Sequence, residues 1–353
     1  MPVASSLLSK PRLVQKLRDF YDYVNKNDGK VGIKTRGIDL NFNNACNLRC
    51  KYCFTNSPKG DHVKEYLDIK AIAKLANEAD ELGYFEFDLQ GGELLLQPEK
   101  LFQVLEAIKP ERFYLYLTTN GYYLDEKMAK ELAKHKVSRV SVSIDSMDEK
   151  IHDEIRGRKD SWRRAMEGLE HVRKHGMDPY LNITVGHYNA RTDHLKQLLD
   201  YSKNKKYKTL LNVAVPAGMW QKMDDIICND EDRTYLKQIR KEYKNLVRNI
   251  WNPFDKNHEK ILGCTTVNRL YITPIGDVLV CPYVHIKIGN IFNQSLKEIV
   301  DFGFSIKYFR NHSDLCLAGE DKNFIKNFMT GEGQTIFNPA EAKNIFSKED
   351  FIS

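Results

Sequence analysis

FNNACNLRCKYCFTNSPKG, Phe42 to Gly60, carries three of the chain's seven cysteines within eight residues. Cys46, Cys50 and Cys53 are spaced C-x3-C-x2-C. Thiolates are soft ligands, suited to zinc or to iron-sulfur centres. A closed structural zinc site takes a fourth Cys or His close by, and the loop as far as Gly60 supplies none. Three thiolates therefore leave one corner of a metal centre open.

Working outward, the loop directly follows the apolar run GIDLNF (37–42). Similar runs recur as YFEFDLQ (84–90), FYLYLTT (113–119), RVSVSID (139–145), YLNITVG (180–186) and TLLNVAV (209–215). Between them lie LDIKAIAKLANEADEL, LDEKMAKELAKHK and SWRRAMEGLEHVRKHG, with apolar residues at the spacing of amphipathic helices. Six repeats of strand then helix predict an α/β fold, a partial (β/α)6 TIM-like barrel over residues 37–217. Its functional loops lie at the C-terminal ends of parallel strands, and the cysteine loop is one of them.

The pattern changes after Pro216. A linker-like stretch, GMWQKMDDIICNDED, leads to a charged helix candidate, DRTYLKQIRKEYKNLVRNI, and a break at Asn252-Pro253. NRLYITPIGDVLVCPY then reads as a hairpin turning at Pro274–Asp277. The expected division is a helical extension at 1–36 with one helix over PRLVQKLRDFYDYVNK, the barrel at 37–217, a smaller domain at 218–332, and a tail at 333–353. The tail carries little pattern and is assigned no role.

At 353 residues and 42% hydrophobic content, the chain has material for a sizeable core. Its formal charge of +6 is spread over 54 basic and 48 acidic residues with no basic run, which argues against a nucleic-acid stripe. The N-terminal MPVASSLLSKPRL lacks the apolar core of a signal peptide, and no stretch has the ~20 apolar residues of a membrane span. The expectation is a cytoplasmic protein with no membrane partner. In that compartment seven cysteines point to metal or redox chemistry before disulfides.

The triplet, with Tyr52 immediately before its last cysteine, resembles the signature loop of the radical S-adenosylmethionine (radical SAM) enzymes. The resemblance accounts for the missing ligand. It implies a [4Fe-4S] cluster on Cys46, Cys50 and Cys53, with the open iron chelated by the methionine part of S-adenosylmethionine. A zinc loop is the competing reading. Gln90-Gly91-Gly92-Glu93 ends the second run, where the family carries a Gly-Gly-Glu motif toward the methionine amino group; Leu94 stands where Pro is common. Glycines there let backbone and ligand come close, although a Gly-Gly pair by itself also reads as a tight turn. Ser143 and Asp145, ending the fourth run, match the positions that meet the ribose hydroxyls, and His152-Asp-Glu-Ile-Arg156-Gly157 is typical of the family. Ser143 also reads as a buried strand residue. The implied cofactor-binding set is Tyr52, Gly91, Gly92, Glu93, Ser143, Asp145 and Asn182, with Thr184 and Thr119-Asn120-Gly121 as further pocket walls.

Cys228, Cys264, Cys281 and Cys316 remain. Cys264, a hairpin and then Cys281 look like the SPASM or twitch extension of the same superfamily, as do Gly289-Asn290-Ile291 and Leu296–Ile299. A full SPASM domain takes about seven cysteines for two clusters, so four cysteines imply one auxiliary [4Fe-4S] cluster, the shorter twitch form. Its fourth ligand is open between Cys228, His285 and the substrate, and an unligated cysteine, Cys228 or Cys316, is a candidate hydrogen-atom donor. Buried structural thiols are the competing reading. Cys264-Thr-Thr-Val267 also resembles the molybdenum-cofactor GTP cyclase, which has a second Cys where Val267 stands and ends in Gly-Gly. This chain ends Phe-Ile-Ser, which sets the cyclase behind.

The resemblance implies an oxidoreductase or epimerase that cleaves S-adenosylmethionine to a 5'-deoxyadenosyl radical, served by an electron donor such as flavodoxin or ferredoxin. Peptide-modifying members often carry an N-terminal recognition domain, and here 36 residues precede the first strand. The expected substrate is therefore a small polar molecule, a sugar or aminocyclitol. A maturase of ribosomally made peptides is the alternative. A non-catalytic Fe-S or zinc scaffold would leave Glu93 and Asp145 without purpose.

Overall fold

A computed structural model describes residues 9–57, 67–329, 331 and 334–352, so Pro58–Gly60 of the opening stretch lie outside the described residues. All six predicted strands form: β1 Gly37–Asn41, β2 Glu86–Gln90, β3 Tyr114–Thr119, β4 Arg139–Ser143, β5 Asp178–Val185 and β6 Lys208–Val213. Each pairs parallel with the next. Helices α1 Pro11–Lys26, α2 Ile69–Glu81, α3 Pro98–Ile108, α4 Glu126–Lys134, α5 Glu149–Arg156, α6 Ser161–Lys174 and α7 Asp193–Lys205 account for the expected extension and crossovers. Pro11 opens α1, where a missing N–H costs nothing. The faces of α1 that carry Leu13, Phe20 and Val24 pack with Phe85 and Leu262.

The strands alternate. Ile38, Leu40, Phe87, Leu89, Leu115, Leu117, Val140 and Val142 enter the core beneath the helices. Their neighbours Asp39, Asp88, Gln90, Tyr116, Thr118 and Ser143 point to the other face and line a cavity. The period of two is the geometry of any strand. Its chemistry is unusual, because a (β/α) barrel is ordinarily filled by branched apolar side chains.

Two features extend the six-stranded sheet, one at each edge. A short strand, β7 Leu246–Val247, pairs parallel with β6. The predicted hairpin forms as β8 Arg269–Ile272 and β9 Asp277–Cys281, followed by β10 Val284–Asn290 and β11 Ala340–Glu341. These strands do not make a sheet of their own. β8 pairs parallel with β1, giving one eleven-stranded series running β11-β10-β9-β8-β1-β2-β3-β4-β5-β6-β7. The tail, whose sequence pattern assigned it no role, contributes β11 to this sheet and sets Phe346 among the rings of Tyr308, Phe309 and Phe328. Among the described residues no helix is long and apolar enough to cross a membrane.

Candidate active site

The cysteine loop leaves the C-terminal end of β1 and is clamped from two sides. On one side the Gly92 N–H donates to the Asn43 carbonyl at 2.8 Å and the Glu93 N–H to the Ala45 carbonyl at 2.7 Å. A Cβ on Gly91 would lie 2.4 Å from the Asn43 oxygen, so the approach requires glycine. Gly91 and Gly92 line the cavity. The Glu93 side chain turns away from it. That buried carboxylate accepts from Leu95 N–H (3.0 Å), the Thr119 hydroxyl (2.7 Å) and Asn120 N–H (2.8 Å), tying the loop after β2 to the loop after β3.

On the other side the loop rests on the end of α5. Arg49 N–H donates to Arg156 O and Lys51 N–H to Ile155 O, each at 3.0 Å. Gly157 ends the helix at φ 68°, and a Cβ there would meet the Arg49 carbonyl oxygen at 2.7 Å. Asp145, expected at the ribose, is engaged within the protein. It accepts from Arg156 Nε at 2.6 Å, from Arg156 Nη2 at 3.1 Å and from the Tyr52 hydroxyl. Arg156 Nη1 in turn reaches the Cys50 sulfur at 3.8 Å. Tyr52, Ser143, Asn182, Thr184, Thr119 and Asn120 face the cavity.

Cys46, Cys50 and Cys53 border this cavity of about 170 Å³. Burial pushes the Cys46 thiol up to about 12 and also raises Cys50, against the opposing charge of Arg156. Such thiols ionise on binding metal, with release of protons. Among the described residues no three His, Cys, Asp or Glu side chains converge as ligands of one metal ion. A mononuclear zinc site needs that convergence. A cubane does not, because each thiolate takes a different iron, and the donor set fits it.

The sequence reading missed the cavity floor. Arg269, on β8, is clasped by Asp39, by Glu86 at 3.0 Å and by Asp88 at 3.5 Å, and it donates to the Tyr116 hydroxyl. Arg139 stacks between Tyr116 (3.9 Å) and Tyr180 (4.1 Å). Asp88 also accepts from the Thr118 hydroxyl at 3.1 Å, and burial together with the Asp39 charge lifts its carboxyl to about 8. The signal was the polar member of each alternating pair in DLN, EFDLQ and YLYLTT.

Cys264, Cys281 and Cys316 come together at the β8–β9 hairpin. Burial pushes Cys281 up to about 12 with Cys264 adding to the effect, and Cys316 rises through burial and both of these neighbours. Tyr283 N–H donates to Cys281 Sγ at 3.4 Å. Pro282 and Tyr283 line the main cavity, and the Tyr283 ring lies 5.4 Å from that of Phe54, next to Cys53. Cys228 is a fully buried core residue whose sulfur faces the Val185 carbonyl at 3.9 Å. His285 is buried with Nδ1 3.5 Å from the Gln334 carbonyl.

The chain matches the model of the Radical SAM superfamily over residues 40–201 and that of the SPASM iron-sulfur cluster-binding domain over 264–318. GTP 3',8-cyclase of Helicobacter pylori (strain HPAG1) is 34% identical over 173 residues, 48% of this chain and 52% of that protein. The chain spans about half the length of the first curated relatives it matches. Streptococcus suis SuiB bound to precursor peptide SuiA superposes with a TM-score of 0.60 at 16% identity, covering 84% of this chain and 70% of that one. anSMEcpe with bound AdoMet gives 0.60 at 21% identity, covering 81% of each chain. These two likenesses are of fold. The chain thus carries a radical SAM domain over residues 40–201 and a C-terminal SPASM iron-sulfur domain over residues 264–318. Its cofactors are [4Fe-4S] clusters and S-adenosylmethionine.

Proposed function

We propose that this protein removes hydrogen from a hydroxyl-bearing carbon of a small polar substrate, a sugar or aminocyclitol, by dehydrogenation or epimerisation. With S-adenosylmethionine, the cluster of the triplet supplies a 5'-deoxyadenosyl radical as the hydrogen acceptor. The observation that carries the substrate class is the polar lumen: Asp88, Thr118, Asn182, Thr184 and Asn212 offer donors and acceptors where a barrel is usually apolar. Loss of a hydrogen atom from such a carbon leaves one electron and one hydroxyl proton to be lost in a dehydrogenation. Asp88 lines the cavity and can take the proton in its ionised form, which burial and the Asp39 charge confine to pH values near and above about 8, so this step is favoured at alkaline pH. The electron needs an acceptor, and the C-terminal cysteines adjoin the cavity wall at Pro282 and Tyr283. Cys316 is the candidate thiol for returning hydrogen in an epimerisation. A flavodoxin or ferredoxin in the cytoplasm would supply the reducing electron.

A peptide maturase is the second reading, favoured by the fold likeness to SuiB solved with its precursor peptide. The GTP cyclase stands behind both, since the Val267 side chain packs against Gly303 within the core where that family has a cysteine. The test is anaerobic reconstitution of the full chain. It is expected to hold about eight irons, and replacing Cys46, Cys50 and Cys53 by Ala to leave about four and abolish 5'-deoxyadenosine formation. Continued 5'-deoxyadenosine formation by that variant would falsify the reading. Aminocyclitols or sugars are expected to stimulate it in the wild type; stimulation by peptides alone selects the maturase.

A further inference from the structure

Arg156 occupies a position that the cofactor roles above do not use. The residue is buried, at 8% exposure, with Nη1 of its guanidinium 3.8 Å from the Cys50 sulfur and the other two nitrogens on Asp145. Its carbonyl accepts the Arg49 N–H at 3.0 Å, so backbone and side chain of one residue both hold the cysteine loop. The Tyr52 hydroxyl closes the ring of contacts onto Asp145, and the guanidinium carbon sits 5.3 Å from the Tyr52 ring centroid. The guanidinium is therefore fixed in direction, and its charge is balanced by one carboxylate.

Taking the triplet as the ligands of a cluster, as the proposed function does, we propose that Arg156 is a positioning residue that sets the reduction potential of that cluster through Cys50, with Asp145 as the counterweight. Reduction adds one negative charge to a cluster in a poorly screening environment. A cation on a ligand sulfur favours the reduced form, as hydrogen bonds to cluster sulfurs do generally. Asp145, across the guanidinium from the sulfur, weakens that field. The pair thus adjusts the cluster in opposite directions through one side chain. A purely structural clamp would not do so, because removing either partner would loosen the same loop.

The experiment is an EPR-monitored potentiometric titration of the anaerobically reconstituted full chain without S-adenosylmethionine. The couple that disappears in the Cys46, Cys50, Cys53→Ala variant identifies the cluster in question. Arg156→Gln is expected to shift its midpoint to more negative potential, and Asp145→Asn to shift it to more positive potential, with iron content unchanged in both. Arg156→Lys, which keeps the charge, is expected to bring the midpoint back toward wild type and protects the test if Arg156→Gln fails to hold iron. Shifts in the same direction for Arg156→Gln and Asp145→Asn, or no shift with iron retained, would overturn the proposal. Wild-type protein that binds no iron at the triplet would instead overturn the ligand assignment on which it rests.

Discussion

A Cβ on Gly92 would lie 2.2 Å from the carbonyl oxygen of Ala45, so the cysteine loop reaches its place only because residue 92 is glycine. The contact sits one residue before Cys46 and is held by the Glu93 N–H on the same carbonyl at 2.7 Å. Gly92→Ala must therefore move the loop. Reconstituted protein is expected to lose the iron of the first cluster, about four atoms, and about 1–3 kcal/mol of stability. Iron content equal to wild type, measured by a colorimetric assay beside a urea melt, would show that the loop tolerates the methyl group.

Arg269 is the guanidinium that neutralises the lumen floor, with Asp39, Glu86 and Asp88 around it. Removing one partner of a buried ion pair costs about 3–5 kcal/mol, because the charges left behind are unpaired. Arg269→Met is expected to lower the urea midpoint accordingly. Adding Asp39→Asn to it is expected to recover part of the loss, and a double variant no better than the single would argue that the arginine acts by packing.

Asp88 gives the protein a pH dependence with a definite sign. Its carboxyl is raised by burial and by Asp39 from the ordinary carboxylate range to about 8. The folded state therefore holds a proton that the unfolded chain, with a pKa of about 3.9, releases. That contribution is complete below about pH 4 and is lost as pH rises through about 8, at no more than about 1.4 kcal/mol per pH unit. Wild type measured against Asp88→Asn by urea unfolding is expected to lose ground between pH 5 and 8. Parallel curves over that range would show that the carboxyl is not shifted.

Cys228 tests the ligand count of the C-terminal site. Its sulfur is fully buried in the main core and faces a backbone carbonyl at 3.9 Å. Cys228→Ala is expected to keep about eight irons and S-adenosylmethionine cleavage, at a cost of about 1 kcal/mol for the small cavity. Loss of about four irons would instead make Cys228 the fourth ligand of the second cluster.

The strands, the hairpin and α1 were legible because each rests on a local pattern: period two, period 3.6, or a turn between apolar runs. The pairing of β8 with β1 was not, since it joins Gly37 to Arg269 across the chain and no local signal encodes a partner so distant. Two-residue strands such as β7 and β11 are too short to show a period. For Glu93 and Asp145 the sequence placed each carboxylate at a strand end but not its direction. Thr119 and Asn120 turn the first away from the cavity, and Arg156 with Tyr52 holds the second. The direction came from other loops. The lumen charges were written in the strands as the polar half of an alternation whose apolar half drew the reading.

The attachment of β8 to β1 bears on how this protein can be divided. Cut after residue 217, the chain would lose the strand that covers Gly37–Leu40, leaving a row of amides and carbonyls with no partner. Bare sheet edges recruit other chains, and here the edge would carry Asp39 stripped of its guanidinium. The barrel half expressed alone is therefore expected to self-associate, and the two halves to fold as one unit.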